Sequence, residues 1–147
     1  MAGESEAMTG LGIVIRMGAN PTATTLTEIG EPYEMDPPEQ MDDEIDVSNF
    51  ASPDGFKEFI GGMTDPGEFT FGVNYIPDGP TENLIFGAKA TKRPVPFEFE
   101  WPNGAVWSFK LLIRGFKPSA PLNDRLTAQV TGRVSGAILR EPKPATP

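Results

Sequence analysis

Glu98 and Glu100 are a carboxylate pair at i, i+2, a spacing that could do acid–base work. In an extended strand, residues i and i+2 share a face about 7 Å apart, and two carboxylates on one face can serve glycoside hydrolysis. The same spacing arises on any polar strand, so a solvated or channel-facing strand is the plainer reading. Asp42, Asp43, Glu44 and Asp46 offer oxygen ligands to calcium but lack the glycine-centred loop of an EF-hand. Gly10-Leu11-Gly12 and Gly61-Gly62 lack the lysine or third glycine of a phosphate loop. Trp101 and Trp107 flank a turn; they read as a cross-strand core pair, with a sugar-stacking platform as the sharper alternative. The chain has no His and no Cys. That removes the commonest general base and metal ligand, as well as thiol catalysis and disulfides. No enzyme, metal site or cofactor is expected.

The elements that would position these residues are mostly strands. Sixteen Pro and sixteen Gly in 147 residues suit short strands and many turns. Gly12 to Met17 and the Thr-rich run Thr24 to Ile29 read as two strands. Phe69, Phe71, Val73 and Tyr75 alternate with Thr70, Gly72 and Asn74, which predicts a half-buried strand. Thr81 is a plausible cap for one helix over Glu82 to Thr91, with Leu84, Ile85 and Ala88 on its apolar face. Val95 to Trp101 and Val106 to Phe116 alternate again around Asn103-Gly104, a hairpin turn signal. Arg125 to Leu139 is the closing strand. These elements predict a mainly β fold, a β-sandwich or partly closed barrel with one flanking helix. Residues 10–140 form its single domain, between a flexible arm over 1–9 and a Pro-rich tail over 141–147.

Residues 30–67 are expected to form a long acidic loop region. Gly30 to Glu44 is too polar and too interrupted by proline for a core strand, and Ile45 to Phe50 can be a strand. Ser52-Pro53-Asp54-Gly55 leads into an expected helical turn that Gly61-Gly62 stops. Phe56, Phe59 and Ile60 would then share a face by i, i+3, i+4 spacing. Aromatic residues in a loop are usually buried against something else, which points to an assembly part.

Charge is divided along the chain. Residues 1–88 hold 17 acids and two bases, a net of −15; residues 89–147 hold ten bases and four acids, a net of +6. Nine carboxylates and no base lie in Glu28 to Asp46. They form a solvated acidic loop or meet a basic surface on a neighbouring copy, since opposite charges on one subunit favour head-to-tail association. The basic, aromatic stretch 89–117 is not expected to bind nucleic acid tightly, because its aromatics alternate inward and the whole chain is negative. No apolar run approaches a membrane span, and Glu4 and Glu6 make the N-terminus unlike a signal peptide. Folding in a cytoplasm is expected.

The order Ile45-Asp46-Val47-Ser48-Asn49-Phe50, Ser52 to Met63, Asp65-Pro66-Gly67-Glu68, Trp101-Pro102-Asn103-Gly104 and Leu126 to Gly136 resembles the tail tube proteins of siphophages, the phages with long non-contractile tails. The resemblance covers about residues 10–138. It implies subunits that form hexameric rings, stacked into a tube whose channel passes genomic DNA. It also implies a loop that packs onto the next ring, here Ser48 to Thr64 with Phe50, Phe56, Phe59 and Ile60 as anchors. Glu98 and Glu100 are the candidates to face the channel. The implied partners are further copies of the chain, a tape measure protein and a tail terminator, with DNA passing but not held. The implied location is the virion, after assembly in the host cytoplasm. A terminator or adaptor, a contractile-machine tube subunit and a carbohydrate-binding sandwich are the alternatives.

Overall fold

A computed structural model describes residue 5 and residues 7–142. Nine strands form: β1 (Val14–Met17), β2 (Thr27–Glu28), β3 (Pro32–Asp36), β4 (Met41–Asp46), β5 (Phe59–Asp65), β6 (Glu68–Asn74), β7 (Val95–Glu100), β8 (Val106–Ser119) and β9 (Thr127–Glu141); helix α1 spans Pro80–Ala90. Seven strands make one antiparallel sheet in the order β2-β1-β7-β8-β9-β6-β3, while β4 and β5 pair only with each other.

The connectivity forces the sheet to curl. Strands β2 and β3 lie at opposite ends of the strand order yet are joined by Ile29, Gly30 and Glu31 alone. That link reaches about 14 Å at full extension, whereas seven strands laid flat span about 29 Å. The two edges must therefore approach, and the sheet becomes the half-barrel expected of a partly closed barrel. Ile29 is buried where the chain crosses, and its N–H donates to the Ile15 carbonyl at 2.8 Å.

The concave face holds the core. Phe69, Phe71, Phe97, Phe99 and Phe109 are buried there, with ring centroids 5.2–5.9 Å apart. Ile15, Met17, Leu111, Val130 and Val134 complete the layer. The alternation read from β6, β7, β8 and β9 therefore places its aromatic and aliphatic sets inward. A bulge between Ile113 and Gly115 shifts the register of β8 and returns Phe116 to the core side. Gly132 faces inward, and a Cβ there would lie 2.6 Å from the Leu111 side chain, so its missing side chain is what admits Leu111.

Helix α1 buries Ile85 and Ala88, and Phe86 meets Phe116 at 5.0 Å. The helix begins earlier than the sequence suggested. Gly79 is its N-cap and Pro80 its first residue, where the absent N–H costs no helical bond. Thr81 is not the cap; its hydroxyl accepts the Gly30 N–H at 3.2 Å, which ties the β2–β3 link to the helix. The segment after Gly30 is also not a structureless loop: it supplies β3 at the sheet edge and β4 in the separate hairpin. The expected flexible arm and Pro-rich tail fall largely on residues 1–4, 6 and 143–147, outside the described residues.

Candidate functional site

Two surfaces remain after the core is assigned: the polar face of the sheet and the β4–β5 hairpin. Glu98 and Glu100 lie on the polar face of β7, opposite Arg16 and Val14 of β1 on one side and Ser108 and Val106 of β8 on the other. Arg16 reaches both carboxylates, Nη1 to Glu98 Oε1 at 3.2 Å and Nη2 to Glu100 Oε1 at 3.9 Å. A carboxylate pair shared by one guanidinium is an ion-pair cluster. On the same face, Arg114 meets Glu68 at 3.1 Å, and Arg133 meets Asp65 at 2.8 Å and Glu68 at 3.8 Å. Trp101 and Trp107 meet edge to face at 5.7 Å and both pack on Phe99, so they extend the core and do not form an open stacking platform.

The hairpin stands apart from the sheet. Its ladder pairs Asp46 with Phe59, Ile45 with Ile60, Glu44 with Gly61, Asp42 with Thr64 and Met41 with Asp65, with a bulge at Asp43. The expected helical turn over Phe56–Ile60 is absent; only Pro53–Gly55 turns as a 3-10 element, and Gly61-Gly62 continue the strand. Phe59 and Ile60, being adjacent in a strand, point to opposite faces, so they do not share one side. Met41, Ile45, Phe59, Ile60 and Met63 are all exposed, as are all six residues of β4. The four carboxylates of β4 are spread along the strand, and among the described residues none belongs to a group arranged to hold a metal ion.

The tip of the hairpin is ordered by polar groups. The Val47 N–H donates to the Glu58 carbonyl at 2.9 Å, and the Glu58 N–H to Ser48 Oγ at 2.8 Å. Ser52 Oγ accepts the Asn49 N–H at 2.9 Å and donates to Glu58 Oε2 at 2.9 Å. Asp54 takes a positive φ of 54°, a conformation Asp tolerates better than most residues. Phe50 and Phe56 take no part in this network; Phe50 is fully exposed and Phe56 is 73% exposed. Ser48 holds the Asp46 carboxyl below its ordinary range, through its hydroxyl first and its N–H second.

At the root, the hairpin turns back into the sheet through Asp65-Pro66-Gly67. Gly67 has φ of +88°, and a Cβ there would run into the Glu39 backbone. Its N–H donates to Asp65 at 2.9 Å, and its carbonyl accepts the Val134 N–H at 3.0 Å. The Gly67 N–H and then Arg133 hold the Asp65 carboxyl below its ordinary range. Sequence reasoning missed β4 because four acids in six residues mask its pairing, and it read Gly61-Gly62 as a stop. The signal that finds the hairpin is the Ser-Pro-Asp-Gly turn lying between two short runs that each carry isolated apolar residues.

A family model described as "Lambda phage tail tube protein, TTP" matches residues 16–139. Among solved structures, the chain is similar to the tail of an empty GTA particle, computed with helical refinement and C6 symmetry. There the TM-score is 0.74 at 15% identity, over 90% of this chain and 98% of that one. It is also similar to a chain of the virion of the native gene transfer agent particle, with a TM-score of 0.73 at 14% identity over 92% and 100%. A chain of the PVC sheath/tube terminator of an extracellular contractile injection system gives 0.69 at 9% identity over 94% and 99%. These likenesses show the fold. No curated protein sequence matches the chain.

Proposed function

The chain belongs to the lambda phage tail tube protein family, and we propose that it forms six-membered rings that stack through the β4–β5 hairpin into the tube of a non-contractile tail. It is a structural subunit of a tail tube and a component of a virion. The family is a structural one and implies no enzymatic role.

The observation that carries the stacking assignment is the hairpin itself. A lone two-stranded sheet is marginal in water, yet this one projects with Met41, Ile45, Phe59, Ile60 and Met63 exposed. Its tip is held in shape by Ser48, Ser52 and Glu58 and not by its phenylalanines. A pre-shaped element with unused aromatic anchors fits docking onto a copy in the next ring. Phe50, Phe56, Phe59 and Ile60 are its anchors. The polar face, with Glu98 and Glu100, lines the channel through which genomic DNA passes without being held. A tape measure protein inside the tube and a terminator at its end are the further partners, and assembly takes place in the host cytoplasm.

A second reading, a tube subunit of a contractile machine, is supported by the likeness to chains of contractile injection systems. Electron microscopy of concentrated protein tests the main reading. Rings or tubes about 10 nm wide are expected, the scale of several sandwiches around a pore. A protein that stays monomeric under all conditions, with or without other tail components, overturns it.

A further inference from the structure

We propose that the polar face of the sheet is a masked DNA-contacting surface, its three arginines held by carboxylates of the same chain so that they do not capture the phosphates of a passing duplex. This rests on the reading that the polar face lines the channel.

Arg16, Arg114 and Arg133 all project from this face. Arginine is the side chain best shaped to grip phosphate, through paired N–H donors. Three free arginines on the wall of a conduit would hold DNA. Each one here is already engaged: Arg16 by Glu98 and Glu100, Arg114 by Glu68, and Arg133 by both oxygens of Asp65 and more distantly by Glu68. The Arg16 cluster is also partly shielded, with side chains 30% exposed for Arg16 and 23% for Glu98. Lys110 shares the face and has no carboxylate within ion-pair reach among the described residues.

Stability does not account for this arrangement, because exposed ion pairs contribute only about 0–1 kcal/mol. Its clearer consequence is electrostatic. A carboxylate fixed on the same chain, whether on the sheet or at the root of the hairpin, competes with phosphate at high effective concentration, and every arginine it occupies removes one site of counterion-releasing contact. The acids of β4 differ in this respect. Asp42, Asp43, Glu44 and Asp46 make no ion pair among the described residues, so they lower the net charge without covering an arginine.

The test compares two variants of the full chain that raise net charge equally. One carries Asp65→Asn, Glu68→Gln, Glu98→Gln and Glu100→Gln, which frees the arginines. The other carries Asp42→Asn, Asp43→Asn, Glu44→Gln and Asp46→Asn, which frees none. Binding to a labelled 30-base-pair duplex is read by fluorescence anisotropy across a salt series, with circular dichroism confirming the fold. The polar-face variant is expected to bind at least about tenfold more tightly than the original chain, with log K against log salt steeper by up to about 2.7, three contacts at about 0.9 each. The hairpin variant is expected to bind like the original chain. Adding Arg16→Gln, Arg114→Gln and Arg133→Gln to the polar-face variant should abolish the gain. Equal gains in the two variants, no gain in the polar-face variant, or a gain that survives loss of the arginines each overturn the masking. Because the readout needs no tube, a chain that builds tubes but fails this comparison loses the masked face and keeps the tube assignment.

Discussion

Ile45 and Ile60 stand directly opposite one another in the β4–β5 ladder, while Phe59, one residue earlier, stands opposite Asp46 on the other face. The hairpin thus carries apolar surface on both sides. A partner approaching from one direction covers one face of a two-stranded sheet. Two apolar faces call for cover from two directions, as an element inserted between neighbours receives.

Two double variants separate the faces. Ile45→Ser with Ile60→Ser strips one side, and Phe56→Ser with Phe59→Ser strips Phe59 from the other and Phe56 from the tip. None of these residues belongs to the buried core, so each variant should keep its melting midpoint within about 4 °C of the original, a shift of less than about 1 kcal/mol. Both should lose tube growth in negative-stain micrographs. Normal tubes from one of the pair would mean that the hairpin is covered on a single side.

The core was legible because its strands alternate without interruption. Phe69-Thr70-Phe71 and Phe97-Glu98-Phe99 state their buried face in period two, and the structure buries those phenylalanines. A partly closed barrel was expected, and the sheet does curl; what was not legible is the link that forces the curl, since nothing in Thr27 to Asp36 says that β2 and β3 will end at opposite edges of one sheet. In the hairpin, the residues were found and their geometry was not. Phe59 and Ile60 fit a helical i, i+3, i+4 pattern with Phe56 as well as they fit a strand, and only pairing with Asp46 and Ile45 decides between the two. The ion pairing of Glu98 and Glu100 depends on Arg16, 82 residues away in sequence for Glu98, a partner that local spacing does not reveal.

Phe69 lies at the centre of the aromatic layer, with Phe71, Phe97, Phe99 and Phe109 all within 5.7 Å between ring centroids. Phe69→Ala should cost about 3–5 kcal/mol, from lost burial and the cavity left behind. Urea denaturation followed by tryptophan fluorescence measures it, since Trp101 and Trp107 report on the same layer through Phe99. A loss below about 1 kcal/mol would mean that the layer closes over the gap.

Gly132 tests packing from the opposite direction. Its inward side is occupied by the branched end of Leu111, which is fully buried. Gly132→Val drives two methyl groups into that space and should destabilise by about 1–3 kcal/mol. Pairing it with Leu111→Ala should recover part of the loss, because the two changes share one volume. Strict additivity of the two costs would show that Leu111 does not use the space above Gly132.

The carboxyls at the two ends of the hairpin make its order depend on pH. Asp65 is lowered from its ordinary value of 3.8 by the Gly67 N–H and then by Arg133, and Asp46 by the hydroxyl and N–H of Ser48. A carboxyl lowered in the folded state stabilises folding fully above its unfolded value, and that contribution is lost as pH falls through the lowered folded value. Both groups are exposed, so the loss should be local, loosening the root at Gly67 and the tip at Ser48 while the sheet persists. Amide shifts of Ser48 and Gly67, followed by NMR from about pH 5 to about pH 2, should titrate with midpoints below the ordinary carboxylate range. Asp65→Asn should flatten the Gly67 curve and leave that of Ser48 in place. If the Gly67 midpoint stays at the ordinary value, or survives Asp65→Asn, then Asp65 does not fasten the hairpin root.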